Sequence, residues 1–272
     1  MTDKAMLDGL VQALMQARRD KQPAEAAAWI DVIGDDAARA YAVQQGVADA
    51  LHWFDGAAGA GGNDTGGGRP MPRFWKSGGG SRTGPITHAP LPPEGVRPSL
   101  TNLGDMHFNA PRVETEIALR LARDVTPEQA VLLRHEDVDA FVDAMTVSIE
   151  IVDSRWREGQ AAPALLKLAD LQSHGALVLG DWVPYRPGHD WAAQRCETRI
   201  GNADPIERTG AHPLGEPAWL LPIWLQHLTR DGGTVPAGTV VTTGSWIGMP
   251  PTASGQRVYA EFAGIGRVEL TV

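Results

Sequence analysis

The sequence predicts an α+β protein, with helices gathered near its start and strands dominating the remainder. Three observations predict it. Leu7, Leu10, Val11, Leu14 and Met15 recur at helical spacing. The segment from Arg112 to Leu121 alternates strictly between apolar and polar positions. Short apolar runs of strand length, such as Ala176 to Gly180, recur later in the chain.

Taken in order, the first helix is expected over residues 3–20, with Pro23 beyond its end. A second should run from Asp35 or Asp36, either able to cap it, to about Trp53, carrying Tyr41, Val43, Val47 and Leu51. Residues 56–68 are dominated by glycine and read as a mobile surface loop. Next, Arg73-Phe74-Trp75-Lys76-Ser77-Gly78 sets a lysine between aromatics and a glycine-rich turn. Lys76 is either a buried reactive amine or a solvated lysine beside a loop. The glycines around it do not match G-x-x-x-x-G-K-[ST], so a nucleotide phosphate loop is not supported. Residues 85–105 are proline-rich and read as irregular.

In the alternating strand, Val113, Thr115, Ile117, Leu119 and Leu121 share one face; Arg112, Glu114, Glu116, Ala118 and Arg120 share the other. Glu114 and Glu116 then project side by side, about 7 Å apart along the backbone. They either lean onto one divalent cation or form the polar face of a half-solvated strand. Glu136 to about Met145 reads as helical, and Val147 to Arg155 as a strand. Glu150 interrupts the apolar run of that strand, and a buried carboxylate needs a partner, so it is a candidate third ligand. A short helix near 163–169, a strand at 176–180 and a polar hairpin over 191–209 follow. A helix is expected from Pro217 to Arg230, with Pro222 either bending it or marking its true first turn. Strands at 239–245, 258–262 and 268–272 complete the series.

Composition narrows the function classes. A net charge of −9 with no basic run or basic aromatic patch argues against nucleic acid. The single cysteine, Cys196, excludes an intrachain disulfide and a cysteine zinc cage, and suits a small semi-buried residue in a reducing compartment. No apolar run approaches the roughly 18 residues that span a bilayer. The first residues open an amphipathic segment without a signal-peptide core, so a cytoplasmic protein is expected.

The run Pro111-Arg112-Val113-Glu114-Thr115-Glu116-Ile117-Ala118-Leu119 resembles the metal-binding strand of the fumarylacetoacetate hydrolase superfamily. More narrowly, it resembles the branch of 2-keto-4-pentenoate hydratases and 4-oxalocrotonate decarboxylases. Further segments agree in order: Ala40-Tyr41-Ala42-Val43-Gln44-Gln45, Glu150 to Arg155, Gly210-Ala211-His212-Pro213-Leu214, Thr243-Gly244-Ser245, and Gly264 to Val268.

The resemblance implies a bent mixed β core with flanking helices. It implies an N-terminal helical lobe (1–54), a glycine-rich loop with Lys76 (55–84) and a catalytic domain (85–272). It places the metal ligands at Glu114, Glu116 and Glu150, the active-site lysine at Lys76, and an Asp-Asn-Ala-Ser element at Asp170-Leu171-Gln172-Ser173, matched at its ends. Asp170 and Ser173 are thereby catalytic candidates, with His174 beside them either a packed structural histidine or an outer partner of the site. Gly244 and Ser245 become substrate-binding candidates. Three carboxylates without cysteine or clustered histidines select Mg²⁺ or Mn²⁺. The implied activity is a lyase acting on a small 2-oxo acid, with hydration of a 2-hydroxydienoate in aromatic-compound catabolism first. Decarboxylation and C–C hydrolysis of the acylpyruvate or fumarylacetoacetate type are alternatives. The proline-rich replacement of the family's pocket loop leaves open a degenerate 2-oxo acid-binding or partner subunit. A homo-oligomer is implied, or a complex with a related subunit.

Overall fold

The computed structural model describes residues 3–55 and 71–272. The glycine-rich stretch 56–68, expected as a loop, lies outside the described residues. The helices are α1 (Asp3–Asp20), α2 (Ile30–Ile33), α3 (Ala37–Ala50), α4 (Pro127–Leu132), α5 (Ala164–Ala169) and α6 (Leu221–Thr229). The first strands are β1 (Phe74–Gly78), β2 (Thr87–Pro90), β3 (Val96–Pro98), β4 (Thr101–Asn102), β5 (Arg112–Leu121) and β6 (Val142–Val152). The rest are β7 (His174–Leu179), β8 (Val183–Pro184), β9 (Arg195–Ile200), β10 (Ile206–Thr209), β11 (Val240–Thr242), β12 (Arg257–Phe262) and β13 (Gly266–Thr271).

Among the described residues the strands form two mixed sheets. The larger has the order β2-β1-β11-β5-β6-β7-β3, with β8 also on β6; the smaller has the order β10-β9-β12-β13-β4. Most pairs are antiparallel, but β1–β11, β3–β7 and β4–β13 are parallel. β12 and β13 pack against β6, and Val147, Ile149 and Ile151 share one apolar core with Val258, Ala260, Val268 and Leu270. β6 is buried along its length except at Asp143, and its buried polar residues Thr146, Ser148 and Glu150 all find hydrogen-bond partners. Where the sheets meet, a Cβ at Gly180 would lie 2.5 Å from the carbonyl oxygen of Arg267. Only glycine permits that approach.

The early helices follow the expected stripes. Leu10 and Leu14 of α1 and Val43 and Val47 of α3 are buried together with Trp156, Leu166 and Leu168 from the middle of the chain. The Asp36 side chain caps α3 by accepting from the Ala38 N–H at 2.8 Å. Pro222 falls in the first turn of α6, after a 3₁₀ turn over Pro217–Leu220. One expected helix is corrected. His135–Phe141 is a 3₁₀ turn, and the chain is already a strand from Val142. The stretch expected to be irregular, 85–105, contributes the short strands β2, β3 and β4. No helix among the described residues is long and apolar enough to cross a membrane.

Candidate metal centre and active site

β5 and β6 build an acidic face. Their register sets Glu114 directly opposite Glu150, and Glu116 opposite Ser148. Two residues two apart on one strand and one on its neighbour therefore converge on one side of the sheet. Glu114, Glu116 and Glu150 each offer a carboxylate oxygen, and these oxygens lie within 4.8 Å of one another. Glu150 is fully buried, Glu116 nearly so and Glu114 partly.

The opposing charge comes from β1, held between β2 and β11. Lys76 is buried, as the first of its two sequence readings requires. Its Nζ donates to Glu150 Oε1 at 2.6 Å and to the Gln172 carbonyl at 3.4 Å, and lies 4.0 Å from Glu114 Oε2. Burial alone would draw the Lys76 pKa down, but the charges of Glu150, Glu114 and Glu116 outweigh it and hold it above the usual lysine value. Burial pushes Glu114 well above the carboxylate range, reinforced by repulsion from Glu116 and Glu150 against the pull of Lys76. Glu116 is raised by burial and by Glu150. Glu150 goes the other way. Its burial cost is outweighed by the Lys76 charge and by hydrogen bonds from His174 and Lys76, which hold it low.

Glu116 Oε2 accepts from the Thr242 hydroxyl and, at 2.8 Å, from the Gly244 N–H; Thr242 in turn lies 3.1 Å from Ser148 Oγ. Gly244 has φ +114, a conformation costly for any residue with a side chain. Its N–H serves a carboxylate of the acidic cluster. The Ser245 hydroxyl is also committed elsewhere, donating to the Gly248 carbonyl at 2.6 Å. His212 fastens the adjoining loop. Its Nε2 bonds the Thr243 carbonyl at 3.0 Å and its Nδ1 accepts from the Leu214 N–H at 3.2 Å.

The Asp170–His174 segment forms the wall beside Lys76. Asp170 is fully buried, and its Oδ1 accepts from Arg155 Nε at 2.6 Å and from Arg18 of α1 at 3.0 Å. Its Oδ2 accepts from the Arg155 N–H at 2.9 Å. A carboxylate so fully engaged by two arginines holds the chain in place. Leu171, Gln172 and Ser173 follow with φ of 52°, 53° and 59°. The Ser173 hydroxyl is buried without a hydrogen-bond partner, and so is the Gln172 amide oxygen. Gln172 Nε2 donates to Thr87 Oγ1 at 2.5 Å. His174 is buried, with Nδ1 3.0 Å from Glu150 Oε1. Burial lowers its pKa despite the neighbouring carboxylate, so the ring is neutral.

Sequence reasoning missed Arg18, Gln172 and Thr242. Arg18 and Thr242 lie far along the chain from the groups they contact, and Gln172 acts through its backbone. The requirement that Glu150 find a partner and the resemblance carried by Asp170-Leu171-Gln172-Ser173 are the signals that point to this wall.

The donor set fits a hard divalent cation. It is all carboxylate oxygen, its three charges exceed the one ammonium, and Glu150 Oε2 is buried with no hydrogen-bond partner.

The family model described as fumarylacetoacetate (FAA) hydrolase C-terminal matches residues 70–272. 2-Keto-4-pentenoate hydratase 2 of Dechloromonas aromatica (strain RCB) is 33% identical over 159 residues, 58% of this chain and 59% of that protein. 2-Keto-4-pentenoate hydratase of Burkholderia vietnamiensis (strain G4 / LMG 22486) is 30% identical over 167 residues, 59% of this chain and 60% of that protein. The chain thus spans about six-tenths of the length of the curated relatives it matches. Among solved structures, 4-oxalocrotonate decarboxylase from Pseudomonas putida G7, complexed with magnesium and adipate, superposes with a TM-score of 0.79 at 19% identity. That match covers 100% of this chain and 98% of the other, and at such identity it shows a shared fold.

Proposed function

The chain belongs to the fumarylacetoacetate hydrolase family, and from that premise we propose that it is a divalent-metal-dependent lyase hydrating a 2-hydroxydienoate derived from a small 2-oxo acid. The observation that carries the reading is the Glu114–Glu116–Glu150 cluster, paired with a buried Lys76 whose Nζ lies 2.6 Å from Glu150 Oε1. Glu114, Glu116 and Glu150 would hold Mg²⁺ or Mn²⁺. When bound, the ion supplies Lewis-acid stabilisation of negative charge on the 2-oxo oxygen.

The chain's own groups account for the rest. Lys76 keeps its proton at Nζ, so it offers a positive charge to a substrate carboxylate and a proton to a developing carbanion. Its bonds to Glu150 Oε1 and the Gln172 carbonyl fix where that proton sits. The Ser173 hydroxyl, buried without a hydrogen-bond partner, is an uncommitted donor and acceptor on the same turn as Gln172. Asp170 contributes by holding the turn that carries Ser173, and Gly244 by holding Glu116.

Incubating the protein and Mg²⁺ with a 2-hydroxydienoate, following ultraviolet loss and product mass, tests the reading. Magnesium-dependent loss of the dienoate with the mass of one water gained is expected. Loss of CO₂ would make it a decarboxylase, and chain cleavage a hydrolase. Metal binding without turnover would make it a 2-oxo acid-binding relative.

A further inference from the structure

We propose that His174 is a positioning residue for the cation site: with Lys76 it ties down Oε1 of Glu150, so that the carboxylate presents Oε2 to the ion. The inference rests on the metal-dependent reading above and adds a residue to it.

The hydrogen-bond pattern at Glu150 is lopsided. Oε1 takes both Lys76 Nζ at 2.6 Å and His174 Nδ1 at 3.0 Å, while Oε2 is buried and takes nothing. An unpartnered carboxylate oxygen in a buried site is costly unless something outside the chain completes it. The tautomer of His174 follows from the same contact. A bare Nδ1 lone pair facing a carboxylate would be repelled, so Nδ1 carries the hydrogen and donates it. Nε2 is then the bare nitrogen; it is buried, has no hydrogen-bond partner, and sits near Gly95. The ring therefore makes its one strong polar contact with Glu150.

The backbone is built to bring the ring there. Strand β7 pairs with β6 as Glu150↔Leu177 and Ile151↔Ala176, but the next pair is Val152↔His174. Gly175 is thus an extra residue, a β-bulge. Without it, alternation would put His174 on the opposite face of the sheet from Glu150. With it, His174 shares the face of Val152 and therefore of Glu150. The bulge requires glycine, because a Cβ at position 175 would lie 2.7 Å from the Ile151 carbonyl oxygen. Immediately before it, three non-glycine residues adopt left-handed backbone, each at a cost on the order of 1–2 kcal/mol. Strain of this kind persists where surrounding contacts over-determine it, and here they do, through Asp170 and its two arginines. The turn and the bulge together deliver the Gln172 carbonyl to Lys76 and the His174 ring to Glu150.

Calorimetric titration with Mn²⁺ tests this without relying on turnover. H174L should weaken Mn²⁺ binding about 10- to 100-fold, the usual effect of removing a group that orients a ligand. H174N, whose side-chain amide can donate to the same oxygen, should restore most of it. E150Q serves as the control and should bind Mn²⁺ far more weakly than the parent. Parent-like binding by H174L beside a defective E150Q would overturn the role of His174 and leave the metal site standing. Parent-like binding by E150Q would overturn the metal reading itself. An H174N as weak as H174L would show that ring packing matters rather than the hydrogen bond, and would also overturn the proposal. If H174L does not melt cooperatively, H174A replaces it; failure of both to fold makes His174 a structural residue and ends the proposal.

Discussion

Lys76 faces Glu114, Glu116 and Glu150, and its ammonium is the one cationic group bonded to them among the described residues. Substituting methionine keeps the length of the side chain and removes the charge. The buried Glu116 and Glu150 and the partly buried Glu114 then lack a counter-ion, and breaking a buried pair from one side costs about 3–5 kcal/mol. K76M should therefore melt well below the parent in EDTA and recover when Mg²⁺ is added. Its Mn²⁺ affinity should match or exceed the parent's, because a competing cation has gone, while dienoate turnover is lost. A K76M protein that turns over normally would remove Lys76 from the chemistry. A K76M protein that melts normally in EDTA would show the carboxylates to be protonated rather than paired.

The turn from Asp170 to Ser173 is the element on which the wall of the site depends. It is pinned by Arg155 and by Arg18, which reaches it from α1. D170N leaves the buried Arg155 and the half-buried Arg18 facing an amide and should destabilise the protein by about 3–5 kcal/mol in urea titration. Thermal melting of the R18M variant should show a smaller loss, because Arg155 still holds the carboxylate. The same element shows where the sequence is readable and where it is not. Glu114 and Glu116 are legible because one strand with one period sets both, and Glu150 because a carboxylate in an apolar run demands explanation. Helix α1 is legible because its apolar stripe is also its buried face. His174 is legible only through the resemblance, since the bulge at Gly175 reverses the face that alternation along β7 would give it. β1 is too short to announce itself, and its pairing depends on a distant strand. Val138, Phe141, Val142 and Met145 satisfy helical spacing, yet β5 captures the chain from Val142 as a strand. Tertiary pairing outweighs local pattern there.

At the scale of the whole molecule, three buried or half-buried histidines besides His174 contribute to the response to acid. Burial holds His212 and His227 at about 4, and burial with neighbouring positive charge holds His88 well below its ordinary value. Below about pH 6.5 the unfolded chain takes up protons on these histidines that the folded chain refuses. Stability is therefore lost as pH falls from about 6.5 to about 4, and is unaffected by them above that window. Glu114 and Glu116, with raised values, act in the opposite sense, so the difference between variants is the clean measurement. H227Q removes the ring that meets both Tyr41 and His88 in tilted contacts, and its urea midpoint should fall less steeply than the parent's between pH 6.5 and 4. Parallel slopes would show His227 to be freely protonated in the fold. The larger sheet also imposes an order of events on a growing polypeptide. Glu114, Glu116 and Glu150 come together as soon as β5 and β6 pair, which are neighbours along the chain. β1 precedes both, yet its other flank is β11, whose first residue is Val240. During synthesis the acidic cluster can assemble well before the strand that fixes Lys76 has a neighbour to complete it. For that interval protons or a captured cation must neutralise the cluster, so the availability of divalent ions during translation should influence how much of the chain reaches its final form.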